Sequence, residues 1–184
     1  SPVFTVLFAP FAYLPAWLGP FAWNLFNYSL FFMAIFTLPQ QFTQQQKCRM
    51  FLFLLLILGQ SLLSFQYNIT VAYLFLFAYT LLEKDRGFLA VLLIMISGCT
   101  KVYGIFELAL LLCYPHVWRN FGYAVTMGIV LLALPLIKIA PADLLPYYEE
   151  WCHSLAVHQS AGAYDSFFYA RPIAAWTLPH FRAL

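Results

Sequence analysis

The chain has 184 residues, of which 64% are hydrophobic, 20% aromatic and only 9% charged, and its formal net charge is +2. Soluble domains carry about 25% charged residues, so this composition excludes an ordinary soluble domain and favours an integral membrane protein. The small net charge, with no basic cluster, also excludes a surface built for nucleic acid.

Apolar segments separated by short polar stretches predict an all-α, polytopic bundle of transmembrane helices. Pro10 and Pro15 interrupt the first segment, and a proline inside a helix removes a backbone hydrogen bond. We therefore expect one membrane domain, with a juxtamembrane arm over 1–18, transmembrane helices over 20–140 and a mostly extracytoplasmic segment over 141–184. The apolar segments run over residues 3–18, 20–38, 49–65, 69–82, 87–100, 102–114 and 121–138.

The distribution of basic residues predicts the orientation in the membrane, because Lys and Arg accumulate on cytoplasmic loops. If the basic loops are cytoplasmic, then the 66–68 turn, Lys101 and the tail after Ala140 lie outside. The basic residues of alternate loops are Lys47 with Arg49, Lys84 with Arg86, and Arg119.

Two of the apolar segments are too short to cross a membrane. A spanning helix needs about 20 apolar residues, whereas segments 69–82 and 87–100 are clearly shorter. Their outer ends are expected below the membrane surface, where polar backbone is tolerated only beside protein or a water-filled cavity. The turn at residues 66–68 and the break at Thr100-Lys101 are therefore expected to line one recessed outer vestibule.

Lys101 is the main candidate for a ligand-binding residue, because it lies in an apolar run from Gly87 to Tyr114. A lysine at membrane depth costs about 2.5–3.5 kcal/mol even on permissive scales. Its ammonium is suited to binding a phosphate as a point charge with several donors. The alternative is a lysine that extends from a helix end to the outer surface.

Three neighbours of Lys101 are further candidates for substrate binding. The amides of Gln66 and Asn68 offer both donors and acceptors to sugar hydroxyls or a phosphate, although an ordinary hairpin turn explains them equally well. Tyr103 is suited to stacking on a ligand or hydrogen bonding to it, and its alternative is an interfacial aromatic residue. Glu107, six residues after Lys101, is expected on a different helical face and has no assigned partner.

Other polar residues have more ordinary interpretations. Asn24 and Asn27 lie three residues apart and predict hydrogen bonding between helices. Residues 142–157 have the spacing of an interfacial amphipathic helix. Arg171 is a further candidate for substrate binding, as a contact for an anionic lipid headgroup, or else a surface loop residue. Neither the histidines nor the four cysteines have the spacing of a metal site, and no cofactor is predicted.

Several motifs occur along the chain in a fixed order and spacing. They are Ser1-Pro2-Val3-Phe4 with Ala9-Pro10-Phe11-Ala12 and Leu14-Pro15, Trp23-Asn24 with Asn27, Ser64-Phe65-Gln66-Tyr67-Asn68, Lys101-Val102-Tyr103-Gly104, and Tyr147 to Trp151. Together these motifs resemble glycosyltransferase family 87, an integral membrane family of GT-C type. The resemblance covers most of residues 1–170. Phe65 stands where that family usually has Gly, and Gly104 stands where Pro is commoner.

This resemblance implies a bacterial, multi-pass enzyme of the inner (plasma) membrane. It would transfer a hexose or pentose from a polyprenyl-phosphate donor to a glycan or glycolipid of the cell envelope. It also implies a catalytic acidic residue in an external loop, which we expect upstream of Ser1 in a longer protein. Gln66, Asn68 and Lys101, with Tyr103, would then contact the donor.

Two other classes of protein fit parts of the pattern. A transporter or channel would use the recessed helix breaks as a substrate path, but it predicts an inverted repeat, and none is evident in this length. In a non-catalytic membrane scaffold, Lys101 would only extend its ammonium to the membrane surface, and the Lys101→Ala variant would function normally.

Overall fold

The computed structural model describes residues 1–63 and 67–160, and all regular secondary structure in those ranges is helical. The all-α prediction is therefore confirmed for the described part of the chain. Its α-helices are α1 (Pro2–Leu7), α2 (Ala9–Ala12), α3 (Leu18–Phe36), α4 (Gln44–Leu63), α5 (Asn68–Leu82), α6 (Gly87–Thr100), α7 (Val117–Ala133) and α8 (Leu144–Ser160). Its 3-10 helices are Val102–Cys113, Leu134–Ile137 and Pro141–Asp143.

Contacts divide the chain into two compact units. The first combines Ser1–Phe21 with the described residues from Leu132 onward, and in it α1 packs against Leu134–Ile137 and α8. The second unit is Ala22–Leu131, which contains Lys101. Its central apolar cluster joins α3 to α5 and consists of Phe31, Ala34, Ile35, Ile69, Tyr73 and Leu74.

Three consecutive helices pack side by side. Helix α6 contacts α5 on one side and the 3-10 helix Val102–Cys113 on the other. The range predicted for α6 is confirmed at both ends, and α5 begins one residue earlier than predicted. The apolar segment that follows is a 3-10 helix of 12 residues. A 3-10 helix rises about 2.0 Å per residue, so this one extends about 24 Å. It therefore matches the length of the 14-residue α6, about 21 Å.

The segment Val117–Ile137 is, within the described ranges, the one helix long and apolar enough to cross a membrane. Large apolar side chains cover its outer face, for example Trp118, which is 89% exposed, and Ile129, which is 66% exposed. Small residues on its inner face allow close helix packing, as in membrane proteins. That other helices also cross the membrane remains a prediction. The buried face comprises Asn120, Ala124, Gly128 and Leu131.

Helix α4 begins at Gln44, five residues before the predicted apolar segment, because its first turn carries a capping box. The backbone N–H of Thr43 donates to the Gln46 side chain at 2.8 Å, and the Gln46 N–H donates to the Thr43 hydroxyl at 3.3 Å. Lys47, expected in a loop, is instead buried on this helix. Its ammonium donates to the carbonyl of Leu38 at 2.6 Å and so satisfies a carbonyl just beyond the end of α3.

Candidate functional site

The site begins with a backbone break at Lys101. Helix α6 ends at Thr100, Lys101 has an extended backbone with φ −137° and ψ 119°, and a new helix begins at Val102. The Lys101 N–H still donates to the Ser97 carbonyl at 2.9 Å, and its carbonyl accepts from the Gly104 N–H at 2.8 Å. The break therefore reverses the chain without losing these backbone hydrogen bonds, and it leaves the ammonium near the negative end of the α6 dipole.

Gly104 allows the two helices to meet closely just after the break. A Cβ atom at residue 104 would lie 2.5 Å from the Ser97 hydroxyl and 2.7 Å from its carbonyl carbon. Real Cβ atoms do not approach backbone so closely, so only glycine fits this position without a shift. The contact fixes the position of the first turn of the 3-10 helix, which carries Tyr103.

The side chains of Lys101 and Tyr103 both contact Asn68. The Lys101 ammonium and the Tyr103 hydroxyl donate to the same Asn68 side-chain oxygen, the latter at 2.6 Å. Asn68 is the first residue of α5 and Lys101 follows the last residue of α6, so the antiparallel hairpin brings them together. Asn68 and Lys101 are therefore in contact, as the predicted convergence of the two breaks requires, and the recessed outer vestibule stays a prediction. We call Asn68, Lys101 and Tyr103 the Lys101 cluster.

The charge in the Lys101 cluster is not neutralised by the described residues. Lys101 is partly buried, and none of the carboxylates within 1–63 and 67–160 forms an ion pair with it. Its ammonium lies 5.0 Å from the centroid of the Tyr103 ring, a distance typical of a cation–π contact. Tyr103 is 45% exposed, so the cluster is open to a ligand at its surface.

Glu107 lies farther along the same 3-10 helix and contacts α6. Its Oε1 accepts a hydrogen bond of 2.9 Å from the hydroxyl of Ser97, which is fully buried. Within the described residues its Oε2 is buried and has no hydrogen-bond partner. The sequence predicted no partner for Glu107, because an α-helix was expected over this segment. In a 3-10 helix, residues 104 and 107 share one face, and both meet Ser97.

A buried hydrogen-bond chain positions α5 against α3. The Thr70 hydroxyl donates to the Asn27 side-chain oxygen, and the Asn27 amide donates to the Trp23 carbonyl at 2.8 Å. The predicted hydrogen bonding between helices is therefore confirmed for Asn27. Asn68 also donates to Ser61 on α4 at 3.4 Å, a contact that sequence reasoning missed.

Two predicted substrate-binding residues, Gln66 and Arg171, lie outside the described residues. Within residues 1–63 and 67–160, no group of three or more His, Cys, Asp or Glu residues is arranged to hold a metal ion. The arrangement that is present is a partly buried ammonium with one amide and one hydroxyl group beside it. Such a set of groups suits an anion next to a polar, hydroxylated ligand.

Comparison with known proteins gives one match. The model of glycosyltransferase family 87 matches residues 1–178. None of the curated proteins and none of the solved structures matches the chain.

Proposed function

Because the chain belongs to glycosyltransferase family 87, we propose that it transfers a hexose or pentose from a polyprenyl-phosphate donor to a cell-envelope glycan or glycolipid. Family membership makes it a membrane-associated glycosyltransferase. The lipid-linked donor, the class of acceptor and the site on the outer face of the inner membrane belong to the proposal. Their support comes from the Lys101 cluster and from the order of the motifs.

The observation that carries the proposal is the partly buried Lys101 ammonium, which has no counter-ion among the described carboxylates. Removing a charge from water is costly unless the charge is paired and hydrogen bonded. Here Asn68 supplies one hydrogen bond and Tyr103 supplies a ring face. An anionic ligand would complete the pairing, and the phosphate of a lipid-linked sugar is such an anion.

The chemistry of sugar transfer explains why a cation is useful at this place. When the bond between the sugar and its phosphate breaks, negative charge develops on the leaving phosphate oxygen. A fixed ammonium stabilises that charge more strongly than the charge of the bound substrate, and so it lowers the barrier. Lys101 therefore serves as the donor-phosphate anchor in this proposal.

The neighbours of Lys101 have distinct roles in the proposed site. The Asn68 oxygen already accepts from Lys101 and Tyr103, so Asn68 positions these two groups. The Tyr103 hydroxyl and ring lie at the exposed edge, where they can contact the sugar or its phosphate. Gln66, two residues before Asn68, is proposed as a further donor contact, and Arg171 as a contact for the lipid headgroup.

The proposed topology is multi-pass, with the Lys101 cluster opening to the outer face. This orientation is supported by Arg86 and Arg119, which lie together at the end of α6 opposite the cluster, since basic residues accumulate on the cytoplasmic side. The short helices support a recessed position for the cluster, because α5 with 15 residues and α6 with 14 residues do not reach the length of a full span. Their ends at the Lys101 cluster would then lie within the outer half of the membrane.

The test measures sugar transfer from radiolabelled polyprenyl-phosphate sugars in membranes that contain the protein. Lys101→Ala is expected to reduce the transfer rate about 100-fold, the usual loss when one group that stabilises a developing oxyanion is removed. Lys138→Ala is the matched control, because Lys138 also lies near a tyrosine, with its ammonium 5.8 Å from the Tyr13 ring centroid.

Transfer that survives both Lys101→Ala and Gln66→Ala would contradict the donor site. It would favour a scaffold, in which Lys101 has only a structural role. Uptake or leakage of a solute that depends on Lys101, without sugar transfer, would favour a transporter instead.

A further inference from the structure

An open groove of about 320 Å³ lies at the opposite end of α6 from Lys101. Helices α6 and α7 form it and run in the same direction, since Gly87 faces Asn120 at one level and Met95 faces Gly128 farther along. The groove begins where Val117–Ile137, the segment suited to crossing a membrane, also begins.

The first part of the groove carries two guanidinium groups. Arg86 precedes α6, Arg119 lies in the first turn of α7, and both side chains are exposed. Two arginines lining one groove favour a ligand with several anionic oxygens, because each guanidinium can donate a pair of parallel hydrogen bonds. The first turn of α6 adds the positive end of its dipole at Gly87.

Among the described residues, Asp85 is the one acidic residue that lines the groove, and its contact with Arg119 is weak. The Arg119 guanidinium and the Asp85 carboxylate are 3.8 Å apart, and the side chains are 46% exposed for Arg119 and 80% exposed for Asp85. Exposed pairs of this kind contribute about 0–1 kcal/mol. A phosphate that binds both arginines can therefore displace Asp85 from Arg119 at little cost.

The rest of the groove is apolar. Phe88 and Tyr123 meet edge to face, with ring centroids 5.5 Å apart, and Leu89 lies beside them. Phe88 and Leu89 are 47% and 42% exposed, and the neighbouring Trp118 is 89% exposed. Aromatic residues next to basic ones are typical of the boundary between headgroups and acyl chains. The groove therefore combines a place for an anionic headgroup with a surface for an acyl chain.

We propose that this groove binds an anionic phospholipid, with its headgroup phosphate on Arg86 and Arg119 and an acyl chain along Phe88, Leu89 and Tyr123. The charge distribution predicted from the sequence assigns these loops to the cytoplasmic side, where basic pockets between transmembrane helices bind such headgroups. The site is separate from the Lys101 cluster, and the proposal does not depend on the identity of the sugar donor.

The test measures the thermal unfolding midpoint of the detergent-purified protein during titration with phosphatidylglycerol, phosphatidylcholine or inorganic phosphate. Phosphatidylglycerol is expected to raise the midpoint, and the other two are not. Arg86→Gln with Arg119→Gln should weaken the apparent affinity about 25-fold, because each arginine contributes about fivefold. Lys84→Gln is the control, since Lys84 lies in the same loop but does not line the groove.

Asp85→Asn provides a test in the opposite direction. Removing the carboxylate that competes for Arg119 should tighten phosphatidylglycerol binding. Asp85 has a positive φ of 53°, which asparagine also tolerates, so this variant should fold even if the double arginine variant does not. Equal stabilisation by inorganic phosphate, equal loss in Lys84→Gln, or weaker binding in Asp85→Asn would each overturn the proposal. These outcomes are independent of sugar transfer.

Discussion

The Lys101 ammonium donates a hydrogen bond to the side-chain oxygen of Asn68, a residue 33 positions earlier in the chain. The hairpin of α5 and α6 makes this contact, because it places the beginning of one helix beside the end of the other. The same oxygen accepts from Tyr103. Asn68 thus orients both groups that are proposed to meet the donor phosphate.

Changing Asn68 should separate charge from packing in the Lys101 cluster. In Asn68→Asp the new carboxylate can pair with Lys101 and neutralise it, so the unfolding midpoint should stay near the wild-type value while the KM for the donor rises. In Asn68→Leu both donors lose their acceptor, which should lower stability by about 1–3 kcal/mol. Donor kinetics and thermal unfolding, measured on both variants, check these expectations. Wild-type transfer by Asn68→Asp would show that the Lys101 charge does not hold the donor.

Gly104→Ala should destabilise the contact between α6 and the 3-10 helix by about 1–3 kcal/mol, the usual cost of overpacking. Ser97→Gly should not rescue it, because the added Cβ would also lie 2.7 Å from the carbonyl carbon of residue 97. Gly122→Ala is the matched control, since nothing lies within 4 Å of a Cβ there. Thermal unfolding of the three variants measures the effect. Equal stability of Gly104→Ala and Gly122→Ala would contradict this packing.

Lys47→Met should lower stability by about 1–3 kcal/mol, because it removes the donor to two carbonyls at the end of α3. Those bonds measure 2.6 Å to Leu38 and 3.3 Å to Phe36, and Lys47 is only 6% exposed. Lys84→Met is the control, since an exposed lysine usually changes stability by less than about 0.5 kcal/mol. The comparison is made by thermal unfolding in detergent, and equal midpoints would indicate that Lys47 is not a helix cap.

Asn27 and Thr70 should be energetically coupled, because their side chains form a buried hydrogen bond between α3 and α5. A double-mutant cycle with Asn27→Leu and Thr70→Val is expected to give a coupling energy of about 0.6–1.7 kcal/mol, between the mean and the maximum measured for such bonds in a membrane protein. Asn24→Leu combined with Thr70→Val should give additive losses. Additivity of the Asn27 and Thr70 changes would contradict the contact.

Much of the helical architecture follows from local chemistry. The ends of α6 were predicted because a charged loop precedes Gly87 and the polar pair Thr100-Lys101 follows the apolar run. The beginning of α4 was placed too late, although the Thr43–Gln46 capping box was readable in the sequence. The 3-10 conformation of Val102–Cys113 was not predicted, since its residues also suit an α-helix.

The sequence by itself determined the helical class and the family, and it made Lys101 a candidate, because apolar runs, ordered motifs and an isolated charge are local properties of the chain. Only the tertiary structure decided what Lys101 touches. A hydrogen bond between residues 33 positions apart depends on how two helices pack, and packing is a property of surfaces that no single segment contains. The same holds for the groove of Arg86 and Arg119, which exists only because α6 and α7 run side by side.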